Sequence, residues 1–173
     1  MPAAHQPLRT AIHRKGPSAP VRWLYDHDYL NVSHLLDPPI KDPKILDFGG
    51  GHGADTDWLR GQMPSHYRVD SWDLYHRQDE LVPPYDIVLC TYVLNVLPKE
   101  ERAKLYWDLI AMMRGLHSVA YVTVRRDGEG QVWTSRDTFQ DYEVDLCREW
   151  DQPYPPFVHI LRDSASYTIY KVG

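Results

Sequence analysis

The run Asp47-Phe-Gly-Gly-Gly-His-Gly53 constrains this chain more than any other feature. Lys44-Ile-Leu-Asp-Phe48 reads as a short buried strand leading into it, and Ala54 to Arg60 reads as a helix leading out. A strand that turns through glycines directly into a helix opens a βαβ unit. Without a Cβ, glycines take left-handed backbone angles and let a ligand approach the main chain at the helix N-terminus. Tyr67-Arg-Val-Asp-Ser-Trp72 predicts the second strand, and Asp73 ends it, where an acidic side chain can accept both hydroxyls of a ribose. Spacing alone leaves NAD open: after Gly49 and Gly51 the third position of G-x-G-x-x-G is Ala54, which that fingerprint tolerates.

Downstream, Tyr85-Asp-Ile-Val-Leu-Cys-Thr91 is the strongest central strand. Pro98 to Arg114 predicts a helix with Leu105, Leu109 and Met112 on one face, Glu100 able to pair with Lys104, and Gly115 as its stop. Ser118 to Val124 is another strand, and Phe157 to Val172 a hairpin turning near Asp163-Ser164. Upstream, Pro20 to Leu30 suits a short helix with Val21, Leu24 and Tyr25 on one side, and the prolines between Asp37 and Pro43 break any continuation. Residues 1–19, with scattered Pro, Gly and basic side chains, read as an arm without a core of its own, and 20–173 as the domain. Strand–helix alternation that closes on strands indicates an α/β layer with a C-terminal antiparallel edge.

At 173 residues and 43% hydrophobic, the chain has room for one core, so one domain must hold both cofactor and substrate. A net charge of −5 argues against wrapping broadly in nucleic acid, which takes many phosphate-neutralising cations, while a local basic patch stays open. Cys90 sits in an apolar run and Cys147 is the only other cysteine, which fits a reduced, cytoplasmic protein. No stretch approaches the ~20 apolar residues of a membrane helix, and no signal-peptide core is present. The nine histidines are scattered without metal-ligand spacing, so no metal is expected.

Ile45-Leu-Asp-Phe-Gly-Gly-Gly-His-Gly53 resembles motif I of the class I S-adenosylmethionine (SAM)-dependent methyltransferases, whose glycine run begins with an acidic residue that NAD-binding domains usually lack. A wider resemblance runs through Thr10-Ala-Ile-His-Arg14, Pro17-Ser-Ala-Pro-Val-Arg22, Asp47 to Asp55, Trp72-Asp73, Tyr92-Val-Leu-Asn-Val96 and Asp137-Thr-Phe-Gln140. In these segments the chain is similar to the methyltransferases associated with DNA phosphorothioation. The resemblance implies an abbreviated Rossmann-like class I methyltransferase sheet and SAM held by the loop at Asp47, Gly49, Gly51 and Gly53, with Asp73 on the ribose. Thr91, at the end of the next strand, joins these cofactor residues. The stretch from Asp73 to Tyr85 is too short for the usual helix, strand and second acidic loop, so adenine recognition is expected to be abbreviated or supplied elsewhere.

Methyl transfer from a sulfonium is an in-line displacement, so the protein mainly aligns the acceptor and takes a proton where the acceptor needs it. Tyr92 and Asn95, following the central strand at the carboxyl edge of the sheet, are the leading substrate-facing candidates; equally, Asn95 caps a turn and Tyr92 packs. Asp127 is a candidate base and Arg125 a candidate anion holder, although Arg125-Arg-Asp-Gly128 also reads as a solvated turn. Arg14, Ser18 and Arg22 could close over a cofactor carboxylate or bind an acceptor phosphate, and Thr138 and Gln140 could meet a base edge or simply start an edge strand. The expected acceptor is nucleic acid or a nucleobase-like small molecule. The rival readings are a non-catalytic SAM-binding regulatory module and an NAD-binding oxidoreductase.

Overall fold

The computed structural model describes residues 11–32, 40–134, 138–150 and 157–173. The first ten residues of the expected arm, residues 37–39 of the proline-rich break and Asp137 lie outside that set. Among the described residues no helix is long and apolar enough to cross a membrane.

Six strands form one sheet: β1 (Lys44–Phe48), β2 (Arg68–Trp72), β3 (Ile87–Thr91), β4 (Val119–Arg125), β7 (Val158–Asp163) and β8 (Tyr167–Val172), in the order β2-β1-β3-β4-β8-β7. The first four are mutually parallel, while β8 runs antiparallel to β4 and β7 antiparallel to β8. This is the α/β sheet with a C-terminal antiparallel edge that the alternation predicts. Alternate residues along each strand feed two cores, because successive side chains point to opposite faces. Ile45, Ile87, Leu89, Tyr121 and Ile169 face the helices α1 (Ala19–Asp26) and α2 (Ala54–Gln62). Leu46, Phe48, Val88, Cys90, Val122 and Tyr170 face α3 (Lys99–Met112) and the short α4 (Leu146–Glu149).

Several boundaries differ from the sequence reading for identifiable reasons. α1 ends at Asp26 rather than Leu30, because Asp28 takes a left-handed φ of 64° and the His27 and Asp28 N–H groups close the last turn. In α3 the buried side chains are Arg102, Tyr106 and Leu109, with Leu105 only partly buried, so the inward stripe is rotated from the purely apolar one. Lys104 pairs with Asp108 at 2.7 Å, not with Glu100. The sequence reading also lacks a separate hairpin, β5 (Gln131–Trp133) with β6 (Phe139–Asp141).

Arg102 explains both differences. It is 1% exposed, and its guanidinium donates to the Asp141 carboxylate, to Glu149 Oε1 at 2.7 Å, and to the backbone carbonyls of Leu94 and Leu97 at 3.1 and 3.0 Å. Tyr106 donates to the other Glu149 oxygen at 3.0 Å. Burial pushes the Asp141 carboxyl up, yet the Arg102 hydrogen bond and the Glu143 N–H outweigh it and hold it below its ordinary range. Removing one partner of a buried ion pair leaves uncompensated charge and typically costs about 3–5 kcal/mol. Arg102→Met should therefore destabilise the fold by about that much in urea unfolding; a loss under about 1 kcal/mol would mean that the network is not what joins the hairpin to α3.

Candidate functional site

From β1 the chain moves outward to β2 and then returns to β3 on the other side of β1. At such a switch point the connections leave in opposite directions and open a crevice beyond the carboxyl ends of the strands. A cleft of about 950 Å³ lies there, lined by the glycine loop, the Trp72–Tyr75 turn, the segment after β3, the outer face of α3 and, from the N-terminal stretch, Ala11, Ile12, Arg14 and Ala19.

The glycine loop forms its floor. Gly49 and Gly51 line the cleft with φ of 74° and 56°; a Cβ on Gly49 would overlap Val93, and one on Gly51 would press to 3.2 Å from the Ala11 Cβ. Gly53 lies behind the lining, at the N-terminus of α2. Asp47 is also behind it: buried beneath the loop, its carboxylate accepts the Thr56 hydroxyl at 2.8 Å. Burial, reinforced by the neighbouring Asp55 charge, pushes the Asp47 carboxyl up to about 7 against the opposing Thr56 hydrogen bond and the charges of Arg14 and Arg77.

Asp73 lines the cleft beside the loop. One carboxylate oxygen accepts the Gly51 N–H at 3.1 Å, and the other accepts the Tyr75 and His76 N–H groups at 2.9 and 3.1 Å. An ionised carboxylate offers about four acceptor positions, so three are committed to fixing the loop and one remains for a ligand.

The N-terminal segment roofs this floor. Asp55, the second residue of α2, is buried and receives the Arg14 guanidinium at 2.9 Å, the Ser18 N–H, and the Ser18 hydroxyl at 3.0 Å. Ser18 also caps α1 through Val21 N–H, so its side chain faces the protein, not the cleft. Ala11, Ile12, Arg14 and Ala19 do line the cleft. The His13 ring stacks on His52 at 3.6 Å, and His52 contacts His76 at 4.3 Å. Burial and the two neighbouring imidazoles hold the His52 pKa below its ordinary value despite Asp73. Arg22 lies away from the site, its side chain 66% exposed beside Asp26 at 3.9 Å.

At the other end, Thr91, Tyr92, Arg125, Asp127, Gln140, Ser166 and Tyr167 line the cleft. Tyr92 holds a left-handed φ of 65°, and burial pushes its phenol up to about 12. Asn95 is not on the lining: fully buried, it accepts the Arg125 N–H at 2.7 Å and donates to the Asp141 carbonyl, bracing β4 against β6. Thr138 is likewise buried off the lining, its hydroxyl 2.6 Å from that of Thr134. Asp127 faces the cleft in a two-pronged ion pair with Arg125, at 2.9 and 2.6 Å, which holds its carboxyl below the usual range. Asp55 and the α3 wall of Glu100, Glu101 and Leu105 are the parts of the site that sequence reasoning passed over. Asp55 stands inside the motif-like segment, but nothing in the spacing marks it as the anchor of the arm. Among the described residues, no group of three His, Cys, Asp or Glu side chains is placed to share a metal ion.

No protein-family model matches the chain, and no curated protein matches it in sequence. Solved structures do match. OxaC, in complex with sinefungin and meleagrin, superposes with a TM-score of 0.56 at 17% identity, over 82% of this chain and 45% of OxaC. Magnesium protoporphyrin IX methyltransferase from Synechocystis PCC 6803, with bound S-adenosylhomocysteine (SAH), gives 0.54 at 18% identity, over 89% of this chain and 80% of that enzyme. The fold is that of the Rossmann-like methyltransferases. The mitomycin 7-O-methyltransferase MmcR shares it at a TM-score of 0.54 and 11% identity, over 76% of this chain and 49% of its own. The chain spans about half the length of OxaC and MmcR.

The Asp47 geometry gives a pH signature. Its carboxyl is raised from 3.8 to about 7, so the folded protein keeps a proton that the unfolded chain releases, and stability falls as pH rises through that window. Asp47→Asn, which mimics the protonated form, should have a Tm above the native protein at pH 8 and lose that advantage near pH 4. A difference that stays flat across thermal melts in this range would refute the raised value.

Proposed function

We propose that this chain is a SAM-dependent methyltransferase acting on a small-molecule acceptor. The observation that carries the reading is the placement of Asp73 beside the glycine cradle at the sheet's switch point, with an acceptor position free, within one continuous cleft. The loop fits a ligand pressed against the main chain, since side chains at Gly49 and Gly51 would intrude on Val93 and Ala11. Neighbours of the same fold carry SAM, SAH or sinefungin.

In this reading the Gly49–Gly51 backbone and Thr91 hold the methionine side and Asp73 a ribose hydroxyl. Arg14, with one guanidinium nitrogen on Asp55, has donors left for the cofactor carboxylate. Adenine falls between the Trp72–Tyr75 turn and α3, where Phe48 stacks on Trp72 at 5.1 Å and Leu105 packs nearby. That wall takes the place of the helix, strand and acidic loop for which the chain has no room after Asp73. When bound, SAM supplies an electrophilic methyl group, and the protein's part is alignment and exclusion of water.

The resemblance to methyltransferases associated with DNA phosphorothioation makes nucleic acid the competing acceptor. The cleft's charges favour the small molecule. Its lining arginines and lysine are each charge-balanced by a carboxylate, even where N–H donors remain as on Arg14: Arg14 by Asp55 at 2.9 Å, Lys104 by Asp108 at 2.7 Å and Arg125 by Asp127 at 2.6 Å. A phosphate backbone needs cations able to neutralise it.

Titration calorimetry with SAM, SAH and NAD tests the cofactor. SAM and SAH should bind and NAD should not, and Asp73→Ala should weaken SAM about tenfold or more, as loss of a hydrogen bond to a charged group would. Unchanged SAM affinity in a folded Asp73→Ala protein would remove Asp73 from the site, and selective NAD binding would overturn the assignment.

A further inference from the structure

Gln140, on the acceptor wall of the cleft, is only 8% exposed, and its Oε1 is buried with no hydrogen-bond partner among the described residues. Buried polar oxygens are nearly always paired, so an orphan on a residue that lines a cleft points to a donor that arrives with a ligand. The backbone bearing it is tightly held. Gln140 stands on β6 opposite Val132, and the adjoining Asp141 is gripped by Arg102 through its carboxylate and by Asn95 through its carbonyl. The side chain is thus carried by a fixed strand.

Charge and proton inventory narrow what that donor belongs to. With Arg14, Lys104 and Arg125 each ion-paired, Asp73, Glu100 and Glu101 remain on the lining without a paired cation among the described residues. In the SAM reading these carboxylates stand around the cofactor, and their summed field makes the rest of the cleft unfavourable for an anionic guest. At the acceptor end, the Asp127 carboxylate is occupied on both oxygens by Arg125, and the Tyr92 phenol holds its proton through neutral pH. Neither is suited to pulling a proton from a hydroxyl. An acceptor at this end of the cleft has to be one whose proton passes to water before the transfer, as an ammonium proton does far more readily than that of an alcohol.

Building on the SAM reading above, we propose that the acceptor is a small amine whose N–H donates to Gln140 Oε1, and that the reaction is N-methylation. The amine enters as an ammonium ion drawn by the acidic cleft and loses one proton to water. Its lone pair then forms the nitrogen–carbon bond to the methyl group as the carbon–sulfur bond breaks, the bonding pair remaining on sulfur. The products are SAH and an N-methylated ammonium ion. Gln140 sets the direction of the nitrogen lone pair by fixing one of its hydrogens, and Tyr92 and Tyr167 line the same end of the cleft.

The test uses the full chain and a near-isosteric series, benzylamine, benzyl alcohol and benzoate, titrated in the presence of saturating SAH, with SAM binding measured first. Benzylamine should bind tightest and benzoate weakest. With SAM, mass spectrometry should detect N-methylbenzylamine and no methylated p-cresol or oligonucleotide. Gln140→Leu should raise the KM for benzylamine about tenfold and leave the SAM Kd unchanged, the size expected for one hydrogen bond to a charged group. Gln140→Glu, which keeps an acceptor oxygen, should restore amine binding and serves where the leucine variant fails to fold. Benzoate binding as tightly as the amine, methylation of p-cresol or the oligonucleotide in its place, or an unchanged KM in Gln140→Leu would each overturn the proposal. Absence of SAM binding would instead overturn the cofactor reading on which it rests, whereas SAM binding without amine preference removes the amine alone.

Discussion

A single guanidinium buried among carboxylates and carbonyls holds the β4–β6 end of the cleft together. Arg102 projects from α3 into the space between the turn after β3, the β5–β6 hairpin and α4, where an apolar side chain would leave Asp141 and Glu149 without a counter-charge. Each of those elements is too short to carry a core. Three-residue strands and a one-turn helix bury little apolar area, so their position depends on directional charge-assisted bonds. Asn95 extends the same brace to β4, so that Arg125 on one wall and Gln140 on the other are set by one connected set of bonds.

A buried carboxylate, Asp55, performs the corresponding task at the glycine-loop end of the cleft. It binds the Ser18 cap of α1 and Arg14, which brings residues 11–19 over the glycine loop. Its charge also falls on Asp47, which lies under the loop with a raised affinity for a proton. The two acids thereby divide the work: the charge of Asp55 is shared with an arginine and a backbone donor, while burial makes ionisation of Asp47 unfavourable.

The central architecture was legible in the sequence because it rests on local signals. The β1 apolar run, the glycines and Asp73 report their places in the fold through spacing, and alternation of apolar residues marks the parallel strands. The helix stripe of α3 was misjudged because hydrophobic periodicity has no means of counting a buried arginine as an inward residue. For the same reason Asn95 and Ser18 were readable as polar residues near the site but not as braces: their partners Asp141 and Asp55 lie far along the chain. The β5–β6 hairpin is absent from the apolar pattern because its first strand is exposed throughout and ion pairs hold the second. Resemblance recovered the glycine loop and part of the arm, but was silent on the α3 wall, where Glu100 and Glu101 face the cleft from an ordinary-looking amphipathic helix.

The floor and the roof of the cleft are built to different standards of permanence. The glycine loop springs from β1, a strand hydrogen-bonded on both sides by β2 and β3, so its shape is settled once, when the sheet forms. Residues 11–14, by contrast, rest on the loop through a ring stack, one arginine and the contact of Ala11 with Gly51. Lifting that stretch leaves every strand pairing intact. The floor is therefore shaped by main-chain pairing that involves the whole sheet, whereas the roof is held by a few side-chain contacts, so single substitutions at His13, Arg14 or His52 reach the roof without touching the floor.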